Sequence, residues 1–71
     1  MRDRKKRLAE IDALYKAKIA ESELALRDKI AAARAAGNFE EAEKLEQTLT
    51  AERQKLREEC EAKKEKARQG K

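Results

Sequence analysis

The chain has no proline, no histidine and no tryptophan, and it holds one cysteine, one tyrosine, one phenylalanine and two glycines. Each absence removes a class of structure or chemistry. Without proline, no position along the 71 residues forbids a helix by ring geometry. With no histidine and a single cysteine, a zinc site lacks ligands. One cysteine cannot close an internal disulfide, so Cys60 is compatible with a reducing compartment. A small buried apolar residue is the stronger reading of Cys60, and a reactive thiol the weaker. No Ser/His/Asp or Cys/His set exists, nor a phosphate-cradling glycine loop, nor a dinucleotide fingerprint. Carboxylates abound, but no apolar pocket is in prospect to perturb a pair of them. The sequence therefore reads as a non-enzyme, with no cofactor, no metal and no small-molecule substrate.

Long apolar runs are missing as well. No window approaches the roughly 18 apolar residues of a membrane span. "MRDRKKR" has the charge of a signal-peptide start, but "LAEIDALYKAK" is too polar for the apolar region that should follow. The expectation is a soluble chain without a visible address, with the cytoplasm favoured. The methionine start and basic flanks suit either a small gene product or an excised segment.

What is present is charge, at 48% of residues, set among strong helix formers. The large apolar residues are Leu8, Ile11, Leu14, Tyr15, Ile19, Leu24, Leu26, Ile30, Phe39, Leu45, Leu49 and Leu56. They are too few for a core of ordinary size, so a marginal monomer or an oligomer is expected.

Their spacing is helical. Leu8, Ile11, Tyr15, Ile19, Ser22, Leu26, Ile30 and Ala33 step by three and four. Phe39, Ala42, Leu45, Leu49, Arg53, Leu56, Cys60 and Ala67 do the same, with Lys63 in the stripe between the last two. Asp12–Lys16, Glu23–Arg27, Glu40–Lys44 and Glu59–Lys63 are acidic-to-basic pairs four apart, expected to assist the exposed faces. Between the two patterns lies "AAGNF". Gly37 suits the left-handed position just past a helix end. Asn38 is a strong N-cap, and Glu41 three residues later makes a capping-box-like pattern. Glu40, Glu41 and Glu43 match the positive end of a helix dipole.

These signals predict an all-α, antiparallel two-helix hairpin, coiled-coil-like, with helices at about 3–36 and 39–68 and a turn at Gly37-Asn38. Facing residues of such a hairpin should have position numbers with a constant sum. They do, at 75: Ala36 with Phe39, Ala33 with Ala42, Ile30 with Leu45, Leu26 with Leu49, Ile19 with Leu56, Tyr15 with Cys60, and Leu8 with Ala67. Ser22 with Arg53 is the polar exception. Leu8, Ile19, Ile30 and Leu45, Leu56, Ala67 repeat every eleven residues, which implies nearly straight helices or a slight right-handed twist. The whole chain, 1–71, reads as one such hairpin.

Ala36, Gly37, Asn38, Phe39, Glu40, Glu41 and Ala42 give this turn a resemblance. The order of small residue, Gly, Asn, aromatic, two acids and Ala resembles the turn between the helices of a tetratricopeptide repeat. It is similar also to the hairpin turn of the UvrB/UvrC-type interaction motif. The likeness covers about 15 residues, Glu46 stands where the repeat usually has an aromatic, and no second copy follows. What it implies is a helix–turn–helix connector, without the peptide groove of a repeat array.

The net charge of +4 is unevenly placed. Residues 1–7 and 63–71 each carry a net +4, while 8–62 carry −4. A hairpin brings both termini to one end, where Arg2, Arg4, Lys5, Lys6, Arg7, Lys63, Lys64, Lys66 and Arg68 could contact a polyanion such as nucleic acid. As solvated, fraying ends they would keep the chain soluble. No aromatic lies near them for base stacking, and no base-reading motif is present.

A second stripe lies off the seam: Ala13, Ala17, Ala20, Leu24, Ala31 and Ala35, flanked by Leu14. Alanine needs no partner, being the best helix former. Alternatively the stripe is a close-packed interface to another helix, in a second copy or another protein. The function expected from sequence is thus a structural or adaptor module acting through helical faces. The alternative is an electrostatic binder acting through the basic end.

Overall fold

The computed structural model describes residues 2–69, and of Arg2 the backbone alone. Two helices, α1 (Arg2–Ala35) and α2 (Phe39–Gln69), pack against each other along their length. Among the described residues there is no strand. The hairpin is a rod with extents of 54 × 14 × 8 Å, long because each helix rises about 1.5 Å per residue. Both helix ends fall within a residue of the sequence expectation.

The turn is built by backbone hydrogen bonds that terminate α1. Gly37 N–H donates to Arg34 O at 3.0 Å, and Asn38 N–H donates to Ala33 O at 2.8 Å. This pair is the Schellman arrangement, which needs a left-handed residue after the helix. Gly37 supplies it, with φ at +77°. Asn38 then caps α2, its Oδ1 accepting from Glu41 N–H at 3.4 Å. Only half of the expected capping box forms. The Asn38 N–H that the Glu41 side chain would have met is already committed to Ala33 O.

Burial follows the constant-sum register. Every described α1 residue that is not exposed belongs to the predicted stripe, apart from Glu23. Ile30, Ala42 and Leu49 are buried together, with Leu26, Ala33 and Leu45 packed on them, so three predicted pairs meet in one cluster. Further from the turn, Tyr15 is 2% exposed and Leu56 is also buried.

Two seam expectations are corrected. Phe39 is 67% exposed rather than facing Ala36. α1 has ended by Ala35, so no helix surface stands opposite the first residue of α2. Lys63 is exposed, and Lys64 occupies the half-buried edge in its place. Its ammonium is held there by Asp12 across the seam, at 3.0 Å.

None of the four predicted pairs along the helices forms an ion pair among the described residues. Asp12 and Glu23 turn across the seam instead, to Lys64 and Arg53. The polar layer expected at Ser22 and Arg53 is therefore completed by Glu23. Arg53 Nε donates to Glu23 Oε2 at 2.7 Å, and its Nη2 donates to the same oxygen. A carboxylate between two helices gains both a cation and hydrogen-bond donors from the facing helix. A pair four apart on one exposed face is worth only a few tenths of a kcal/mol.

Candidate functional site

A two-helix rod buries one face of each helix and leaves the other open. At about 100° per residue, Ala13, Ala17, Ala20, Ala31 and Ala35 all fall within about 40° of Leu24, on the side of α1 turned away from α2. All five alanines are exposed, and Leu24 is 66% exposed. The apolar strip is continuous from Ala13 to Leu24. Arg27 and Asp28 then flank the same face before it resumes at Ala31. Leu14 is 49% exposed, but it sits about 80° round from Leu24, at the margin of the strip.

The strip keeps the same repeat as the seam: Ala13, Leu24 and Ala35 are eleven apart, as are Ala20 and Ala31. The alanines on either side of Leu24 would let another helix approach closely.

The nine cations assigned to the basic end are dispersed in their engagements. Lys64 Nζ lies 3.0 Å from Asp12 Oδ1 and 3.6 Å from Glu61 Oε2. Arg68 pairs with Glu65 at 3.2 Å. Lys63 approaches the Tyr15 ring, 5.9 Å from its centroid, with Lys18 at 4.9 Å on the same ring. Arg4, Lys5, Lys6, Arg7 and Lys66 are exposed. The Arg2 side chain and Lys71 lie outside the described residues.

Between the basic end and the middle of the rod, polar groups converge on the seam. The Tyr15 hydroxyl donates to Glu59 Oε1 at 3.4 Å, and the Cys60 thiol lies 3.7 Å from Asp12 Oδ1. The hydrogen bond from Lys64 lowers the Asp12 pKa below its ordinary 3.8, against a smaller opposing effect of desolvation. The same bond raises Lys64. Burial, then the Asp12 charge, pushes the Cys60 thiol above its ordinary 9.0. A thiol so placed stays protonated at neutral pH, and thiol rather than thiolate is the unreactive form. Cys60 is half-buried at the edge of the seam, where the sequence suggested a small, fully buried residue.

Among the described residues no group of His, Cys, Asp and Glu could hold a metal ion. No described helix is long and apolar enough to cross a membrane. Sequence reasoning did not anticipate Phe39 as an exposed aromatic. The signal was available in its position as the first residue of α2, beyond the end of the opposing helix. Comparison of the chain with protein-family models, with curated proteins and with solved structures returns no match.

Proposed function

We propose that this chain is a structural or adaptor module that associates through the open face of α1, with a second copy or with a helix of another protein. One observation carries the reading: an uninterrupted strip from Ala13 to Leu24 stays in solvent while the seam takes up the other large apolar residues of α1, Leu14 excepted. An exposed alanine alone is uninformative, since alanine favours any helix. Leu24 gives the strip its weight, because a leucine at the centre of a small-residue face is a natural anchor for a facing helix.

The association should be apolar in character, and hence nearly indifferent to salt. Sedimentation equilibrium across micromolar concentrations, at low and high salt, tests it. The expected result is a salt-independent dimer or larger species, weakened at least about tenfold by Ala17→Glu or Ala20→Glu, because each would bury an unpaired charge. Where the wild-type chain sediments as a monomer, capture on immobilised wild-type and Ala17→Glu chains tests the partner version. Equal capture by the two would refute it.

A further inference from the structure

We propose that the basic end of the hairpin is a composite docking surface for the phosphate backbone of duplex nucleic acid, independent of base sequence. The fold makes this surface from two runs at opposite ends of the chain, residues 2–7 opening α1 and 63–69 closing α2. The hairpin sets the two runs side by side. Lys5, Lys6, Arg7 and Lys66 are exposed and make no ion pair among the described residues, so four cations remain to meet an external anion.

Stability explains only half of this placement, since Lys66 and Arg68 in the last turn of α2 suit its dipole. Cations in the first turns of α1 oppose that helix's dipole, and the two basic runs side by side repel each other. Phosphates would relieve both. The chemistry of the end also narrows the partner. The large exposed apolar residues are elsewhere: Leu14 is two turns beyond Arg7, Leu24 is mid-rod and Phe39 is at the turn. A lipid surface would gain no inserted side chain here, and a protein partner no apolar anchor. A duplex asks only for cations, because it carries one negative charge per roughly 1.7 Å of its axis. Successive positions on a helix fan out by about 100°, so Lys5, Lys6 and Arg7 can reach phosphates on more than one side of the tip.

The test is fluorescence anisotropy of a labelled mixed-sequence DNA duplex titrated with the full chain from 50 to 200 mM salt. About four phosphate contacts predict an affinity loss on the order of a hundredfold across that range. Lys5→Gln/Lys6→Gln/Arg7→Gln should flatten the salt slope, and Lys63→Gln/Lys66→Gln should flatten it separately. Lys29→Gln/Lys44→Gln, nearer the turn, should leave it unchanged, as should Ala17→Glu on the open face. Circular dichroism on each variant confirms that the helices persist. The wild-type slope, which needs no variant, gives a second reading. Absence of binding at 50 mM salt would overturn the proposal. So would an effect of the turn-end pair equal to that of Lys63/Lys66, which would make the binding a property of net charge. Binding to vesicles containing anionic lipid without binding to the duplex would overturn it too.

Discussion

The half of the rod next to the turn and the half at the open end hold together by different means. Near the turn, Ala33 and Ala42 let the helices close, and Ile30, Leu26, Leu45 and Leu49 fill the space between them. The one ion pair across this half, Arg34 with Glu46, is exposed at the rim. At the open end, Leu8, Ile11, Ile19 and Leu56 continue the seam and are joined by longer side chains with polar tips. Tyr15 buries its ring and passes its hydroxyl to Glu59, while Asp12, Cys60 and Lys64 join across the seam. Glu23 and Arg53 mark the boundary. Large apolar side chains line both halves of the seam; the difference is that the turn half gathers them into one buried cluster, while the open half adds amphipathic side chains that bridge to charge. The turn half should then carry most of the stability, and the open half most of its response to solvent.

The strongest way to break that contrast is to empty each half in turn. Ile30→Ala removes a side chain buried in the turn-side cluster and should cost about 2–4 kcal/mol, measured by urea denaturation followed by circular dichroism. Ile19→Ala, at a half-buried position in the open half, should cost clearly less. Equal costs would refute the division. Gly37→Ala should cost about 1–2 kcal/mol. A Cβ at Gly37 meets no atom within 4 Å, so the penalty comes from the left-handed backbone alone. Gly37→Asn should cost less, because asparagine tolerates that conformation better.

Smaller effects sharpen the open half. Tyr15→Phe keeps the buried ring and deletes the hydrogen bond to Glu59, for an expected loss of about 0.5–1 kcal/mol. A loss near that of Ile30→Ala would place the stability core in the wrong half. The smallest effect is with pH. Asp12 is lowered in the folded chain, so its contribution is present above its ordinary 3.8 and disappears as pH falls through the depressed value. Lys64 is raised, so its contribution is present below its ordinary 10.5 and disappears as pH rises through the elevated value. Thermal melts should therefore show a shallow acid decline attributable to Asp12, which Asp12→Asn removes. A decline of the same depth in Asp12→Asn would assign it to other carboxylates.

The seam of α1 was legible in sequence almost residue by residue, because period and burial on a single long helix are one statement. The turn was legible for the same kind of reason: only Gly37 could take the left-handed position without penalty. Charged side chains were not. Asp12 and Glu23 have partners within reach both along and across the helices, and the choice depends on the distance between helices, which spacing does not encode. Lys64 replaced Lys63 at the seam edge for the same reason. Phe39 was misplaced because a constant-sum register continues on paper past the point where α1 stops. As for the candidate surfaces, sequence located the alanine strip and the basic end correctly as off-seam and terminal. Which cations are already engaged, Lys64 and Arg68 among them, emerged only from the packed helices.

The central claim is that the chain folds back at Gly37 with position numbers summing to 75 across the seam. It is tested most directly by thiol cross-linking of Leu26→Cys/Leu49→Cys, made together with Cys60→Ala, using a short bifunctional reagent at low protein concentration. The account predicts a cross-link within one chain, with the species remaining monomeric on denaturing electrophoresis. Cross-links forming only between chains would contradict it and would indicate an extended helix paired with a second molecule.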